Sequence, residues 1–222
     1  MNTQRNKETL ERFVLNYDLH NGENTMDSET ASETAMSNTV EILNPDISHR
    51  GNGLLVTKNG YFVTSYHVFE ESNWKNLAYQ LRLANGLIVP SWVMVFSKKE
   101  DMALCKTLLP IGKNEPNMFN FYDNASFTVE PVVLLTRWDG EVNPKYGTVS
   151  NPFYHAQSVE GNETNRNQFS INLKIRSGDS GGIVLGPKSS IMGILNSANE
   201  VTASATRFDR HISLMRYYIN KV

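Results

Sequence analysis

The segment Arg176-Ser177-Gly178-Asp179-Ser180-Gly181-Gly182 says more about this chain than any other seven residues in it. A serine set between glycines suits a nucleophile whose backbone must bend tightly and lie close to a substrate. In acyl transfer the attacked carbonyl oxygen becomes an oxyanion, which two backbone N–H groups aimed at one point can stabilise. Gly178 and Ser180 are the candidate donors, since a side chain at position 178 would obstruct the turn. One such donor contributes roughly 3–4 kcal/mol to the transition state. A plain glycine turn would carry the same letters, so the segment needs company.

Two distant segments supply it. Thr64-Ser65-Tyr66-His67-Val68 follows the apolar run Tyr61–Val63 and opens a short polar stretch. A serine hydroxyl is a poor nucleophile until an imidazole takes its proton, and a histidine at a strand end fits that role. In Lys98-Lys99-Glu100-Asp101-Met102-Ala103-Leu104 an acid precedes an apolar strand, where its carboxylate could fix the histidine tautomer and stabilise the imidazolium. Singly, either segment reads as an ordinary surface turn; together, in this order, they read as His67, Asp101 and Ser180 of a catalytic triad. The other histidines, His20, His49, His155 and His211, are expected to be surface or core residues. Gly-x-Ser-x-Gly also occurs in α/β-hydrolases, whose order is serine, acid, histidine. Only 222 - 180 = 42 residues follow Ser180, with His211 as their sole histidine, which is too little chain for the rest of that sheet.

The three motifs resemble those of trypsin-like serine proteases, and in wording most resemble the Deg/HtrA branch. That branch runs from a Gly-x-Gly strand through Thr-x-x-His-Val and Asp-x-Ala-Leu to Gly-x-Ser-Gly-Gly. Here the counterparts are Gly51-Asn52-Gly53, Thr64–Val68, Asp101–Leu104 and Gly178–Gly182. The likeness extends from about Ser48 to Val222. The separations, 101 - 67 = 34 and 180 - 101 = 79, leave one barrel's worth of strands on each side of a cleft. The resemblance implies an all-β fold of two six-stranded antiparallel β-barrels, the chymotrypsin-like double barrel, with an N-terminal and a C-terminal helix. It implies a serine endopeptidase acting on protein or peptide substrates, with no cofactor and no metal. An inert peptide-binding module of the same fold and an esterase using the same triad are the alternatives.

The family's pattern also marks a difference. Trypsins neutralise the acid equivalent to Asp179 with a newly cut amino terminus, and Deg/HtrA relatives usually carry asparagine there. No basic residue followed by an apolar-Gly-Gly start is visible, so the expectation is that Asp179 has another partner or that the site needs processing or an effector. A PDZ domain after the terminal helix is not expected.

Outward from the motifs the texture is β from about Thr39. Asn59-Gly60, Asn85-Gly86 and Asp139-Gly140 sit between short apolar runs as hairpin signals. Near residues 6–20, Leu10, Phe13, Val14 and Tyr17 share one helical face. Asn21 to about Asn38 is rich in Ser, Thr, Glu and Asn and reads as flexible linker. At the far end Asp209 can cap a helix whose stripe is Ile212, Met215 and Ile219. The expected division is therefore 1–47, helix plus acidic linker; 48–122, first barrel; 123–208, second barrel; 209–221, helix.

Charge is uneven. Between Phe13 and His49 stand seven acids and no Lys or Arg, within a chain of net charge -2. For the helix near 6–20 docking of a regulatory partner is the alternative to packing on the main domain; for the acidic stretch self-inhibition or self-cleavage at the cleft is one expectation, and a solvated tether the simpler one. No basic excess argues for nucleic acid. With one cysteine, Cys105, no internal disulfide can form, and no apolar run suggests a signal or a membrane span. A cytoplasmic location is the expectation. The pocket for the residue before the scissile bond is expected from Lys174, Ile175, Arg176 and Ser177 with Ile194, Leu195, Asn196 and Ser197. An inward Lys174 would favour an acidic side chain, an outward one a small aliphatic side chain.

Overall fold

The computed structural model describes residues 3–69, 79–123, 128–157, 164–198 and 202–221, with side chains described from residue 7 onward except over 153–166 and 197–198. Two closed six-stranded antiparallel barrels form its body. The first uses β1 (Thr39–Leu43), β2 (His49–Leu55), β3 (Tyr61–Thr64), β4 (Tyr79–Arg82), β5 (Ile88–Ser97) and β6 (Met102–Thr107) in the order 1-2-3-6-5-4. The second uses β7 (Pro131–Trp138), β8 (Glu141–Gln157), β9 (Thr164–Asn172), β10 (Ile183–Leu185), β11 (Ile191–Ala198) and β12 (Ala203–Arg207). Its order, 7-8-9-12-11-10, repeats that of the first. Closure removes the exposed strand edges that a single open sheet would present. Asp139 and Gly140 both have positive φ, as the tight β7–β8 hairpin requires.

The strands bury both faces. All four residues of β3 are buried: Phe62 points into the first barrel, while Tyr61 and Val63 point into a separate core between the barrels. That is why the strand reads as an unbroken apolar run rather than an alternation. The intervening core joins Leu54, Val63 and Leu104 of the first barrel to Leu135, Ile183 and Ile194 of the second. Two helices seal it. Helix α1 (Thr3–His20) buries Leu10, Phe13, Val14 and Tyr17, the face expected from their spacing. The C-terminal helix adds Phe208, Ile212 and Met215. None of the helices described is long and apolar enough to cross a membrane.

Three features differ from expectation. The stretch read as linker contains helix α2 (Ser28–Asn38), and β1 begins the first barrel at Thr39 rather than near 48. Asp27 caps α2 by accepting from the Thr30 N–H at 2.9 Å, and Ala31 and Ala35 are its only buried contacts. At the other end Arg137 donates to the Met36 carbonyl at 2.9 Å. A helix held by its caps and two alanines lacks the apolar stripe that periodicity detects. The segment packs on the main body through Asn120 and Ser189. The C-terminal helix, α3 (Phe208–Lys221), starts one residue early, so Asp209 lies inside its first turn instead of capping it.

His211 on α3 is fully buried, and neither ring nitrogen has a hydrogen-bond partner among the described residues. Burial pushes its pKa down to about 3, although the charge of Asp101 pulls the other way. The unfolded chain would protonate this ring near pH 6.5 while the folded one resists, so stability is complete above that pH and is lost as pH falls toward 3. On the order of 4 kcal/mol is linked to this one ring. Chemical denaturation of His211→Phe from pH 7 to pH 4 is expected to show a flatter acid limb than the parent.

Candidate active site

The register of two strands brings the first two triad candidates together. β3 pairs with β6 so that Thr64 lies opposite Ala103. The residues just beyond that pair, a 3-10 turn at Tyr66–Phe69 and the turn ending at Asp101, therefore meet at one end of the first barrel. Asp101 has φ 50°, a left-handed conformation that aspartate tolerates better than most residues. From there its carboxylate accepts from the His67 backbone N–H at 2.8 Å and from Nδ1 at 2.7 Å. The carboxylate only accepts, so Nδ1 carries the hydrogen and, in the neutral ring, Nε2 offers its lone pair. Nε2 lies 2.8 Å from Ser180 Oγ. The three candidates form one continuous line of hydrogen bonds. Ser180 Oγ also lies 3.2 Å from the Asn196 carbonyl, an alternative acceptor for its single hydrogen.

Ser180 belongs to the second barrel but is tied to the first. Its carbonyl accepts from the Asn52 N–H of β2 at 2.7 Å, and Gly181 N–H donates to the Leu195 carbonyl at 2.8 Å. Gly181 has φ 79°, and a Cβ there would sit 1.9 Å from the Asn52 carbonyl oxygen. Only glycine lets the turn press against β2 at this point. Ser65, fully buried, donates to the Leu195 carbonyl at 2.7 Å and lies 3.2 Å from Asn196 Oδ1, adding a second stitch across the cleft.

Charged groups support the turn from below. The carboxylate of Asp179 is buried, ion-paired with Lys145 of β8, and accepts from the Arg176 backbone N–H at 2.7 Å. Lys145 is thus the partner that the sequence left open. Beside it lies a second imidazole–carboxylate pair that the sequence did not suggest. Glu41, fully buried on β1, stands 2.7 Å from His49 Nδ1 and 2.8 Å from Arg82, and accepts from the N–H groups of Asp139 and Gly140 at 3.2 Å each. Burial alone would push its carboxyl pKa up; the His49 bond, the two N–H groups and the Arg82 charge outweigh that and hold it below the usual value. His49, expected to be an ordinary surface or core residue, reaches the Gly178 carbonyl at 2.9 Å.

The expected pocket residues divide. Lys174 and Ser177 are exposed, Ile175 is half-buried against the second barrel's core, and Arg176 lays its guanidinium 4.3 Å over the Trp138 ring. Ile194 and Leu195 turn their side chains into the cores, and the Leu195 backbone bonds to Gly181 and Gly182 of the serine turn. Asn196 is buried, with its amide donating to Thr206 Oγ1 at 2.5 Å. Ser197 pairs with Ser204 in the β11–β12 ladder, and its side chain lies outside the described residues, as does that of His155.

No curated protein matches this chain. Among known families, residues 51–194 match the trypsin-like peptidase domain, a span that includes His67, Asp101 and Ser180 and well over half of the chain. With the double barrel and that match in agreement, the chain belongs to the trypsin-like peptidase family.

Proposed function

We propose that the protein is a serine endopeptidase that cleaves peptide bonds through an acyl-enzyme intermediate. The observation that carries the reading is the unbroken line from Asp101 Oδ2 to His67 Nδ1 at 2.7 Å and from His67 Nε2 to Ser180 Oγ at 2.8 Å. Ser180 Oγ attacks the scissile carbonyl while His67 Nε2 takes its proton, and the imidazolium so formed is stabilised by Asp101. The carbonyl oxygen gains the negative charge, for which the Gly178 and Ser180 N–H groups are the donors. His67 then gives its proton to the leaving amine as the C–N bond breaks, leaving an ester on Ser180. Water, deprotonated by the same ring, cleaves that ester and restores the hydroxyl.

The substrate is an extended peptide laid against the edge of Asn196–Ala198. With Lys174 in solvent, the pocket reading favoured is a small aliphatic residue before the scissile bond. Incubation with a proteome-derived peptide library, followed by mass spectrometry of the new termini, tests both points. Cleavage by the parent and none by Ser180→Ala supports the endopeptidase. Turnover of short-chain esters with no peptide cleavage would replace it by the esterase, and a preference for Lys or Arg at that position would overturn the pocket assignment.

A further inference from the structure

Two donors converge on one carbonyl oxygen behind the Ser180 turn. The oxygen of Gly178 accepts from His49 Nε2 at 2.9 Å and from Asn52 Nδ2 at 2.8 Å. On its other side the His49 ring presents Nδ1 to Glu41 Oε1 at 2.7 Å. A carbonyl oxygen only accepts, and so does an ionised carboxylate. His49 can therefore make both bonds only when each ring nitrogen carries a hydrogen, which makes it an imidazolium. A neutral ring would turn one bare lone pair toward an acceptor.

The surroundings suit a cation. The Trp138 ring lies 3.8 Å from the His49 ring, centroid to centroid, and offers its π face. Glu41, the nearest charge, comes from β1; Arg82 from β4 sits 2.8 Å beyond it, and Asp139 in the β7–β8 turn lies 3.7 Å from Arg82. Across Trp138 stands Arg176, and next to Gly178 the Asp179–Lys145 pair. The two carboxylates Glu41 and Asp139 balance Arg82 and a charged His49. The fit around Gly178 is close: at φ 91°, a Cβ there would come within 2.6 Å of Trp138 Cζ3 and 2.7 Å of His49 Cδ2.

We propose that Glu41 and a doubly protonated His49 act as a positioning pair that clamps the Gly178 carbonyl, and by fixing the Gly178–Asp179 peptide holds the turn in which the Gly178 N–H faces the substrate oxyanion. This rests on the peptidase reading given above. Neither residue touches substrate; they act through the backbone of Gly178. The clamp is linked to a proton. When His49 loses one to solvent, it leaves from Nε2, because the ionised carboxylate holds the Nδ1 hydrogen more strongly than a carbonyl holds its partner. The Nε2 lone pair then faces the Gly178 oxygen, and the turn loses one of its two donors. A misplacement of about 1 Å in such a donor is enough for a loss of about 100-fold in rate.

The test combines ring nitrogen NMR of the full chain with the rate of fluorophosphonate labelling of Ser180 from acid to alkaline pH. In the parent, both nitrogens of His49 are expected to carry hydrogen at the pH of fastest labelling. On the alkaline side the rate should fall along the same curve as the loss of the Nε2 hydrogen. Glu41→Gln can donate an amide hydrogen to Nδ1, so a neutral ring keeps Nε2–H on Gly178; this variant should lose the alkaline fall. His49→Phe keeps a ring beside Trp138 but no donor, and should lower kcat by about 10- to 100-fold with KM changed less than about twofold. A single hydrogen on His49 at the pH of fastest labelling overturns the clamp, as does an alkaline fall that persists in Glu41→Gln. If His49→Phe does not fold, the NMR and Glu41→Gln results decide alone. A parent that is never labelled overturns the peptidase reading and the proposal with it; a labelled parent with a singly protonated His49 overturns the proposal only.

Discussion

Exchange of Ser180 for alanine is expected to lower kcat for peptide hydrolysis by on the order of 10⁶, exchange of His67 for alanine by a similar factor, and the double variant by no more. The non-additivity follows from the geometry. In the proposed mechanism the Ser180 hydroxyl reacts only as the His67 ring, 2.8 Å away, accepts its proton, so removing either partner removes the same step. What is expected to remain is binding and the two proposed N–H donors, Gly178 and Ser180, which need no nucleophile. The fold is expected to survive, because the backbone of Ser180 is itself held, its carbonyl accepting from the Asn52 N–H at 2.7 Å, and that bond does not depend on the hydroxyl. Single-turnover kinetics with a chromogenic peptide and a melting curve for each variant check both halves of the statement. Losses that multiply in the double variant would mean that the two side chains act separately.

Asp101→Asn should cost on the order of 10⁴ in kcat while leaving KM and the melting temperature nearly unchanged. Asparagine tolerates the left-handed backbone at φ 50° as aspartate does, and its shape is the same. Its amide can accept from the His67 backbone N–H through the oxygen, but it then turns its NH₂ toward Nδ1. A ring that accepts at Nδ1 must carry its hydrogen on Nε2, which then points a donor at the Ser180 hydroxyl. The base is present and in place with its lone pair on the wrong nitrogen. Raising the pH cannot restore it, because the neutral ring keeps that tautomer. A variant within tenfold of the parent would show that Asp101 serves only to hold the turn.

The triad candidates were legible because each sits where a local pattern ends: His67 after the run Tyr61–Val63, Asp101 before Met102–Leu104, Ser180 among glycines. The double barrel was legible through the resemblance those motifs carry, and α1 through the face made by Leu10, Phe13, Val14 and Tyr17. The supports behind the Ser180 turn were not, since they exist only once the barrels close. Glu41 and His49 lie eight residues apart and meet across the β1–β2 hairpin, close to a register shift between Ile42 and Leu43. Lys145 reaches Asp179 from β8, a strand whose sequence marks no function. One signal was available: Val40-Glu41-Ile42-Leu43 puts a lone acid in an otherwise apolar strand, and a carboxylate that must be buried demands cationic or N–H partners. Helix α2 escaped for the opposite reason, since its two buried residues, Ala31 and Ala35, bury too little to look amphipathic.

The most direct test of the central claim is to locate the adduct formed with a fluorophosphonate by intact mass and peptide mapping. The arrangement predicts one phosphonyl group per chain, carried by Ser180, absent in Ser180→Ala and formed far more slowly in His67→Ala. An adduct on any other residue, or peptide cleavage that continues in Ser180→Ala, would contradict it.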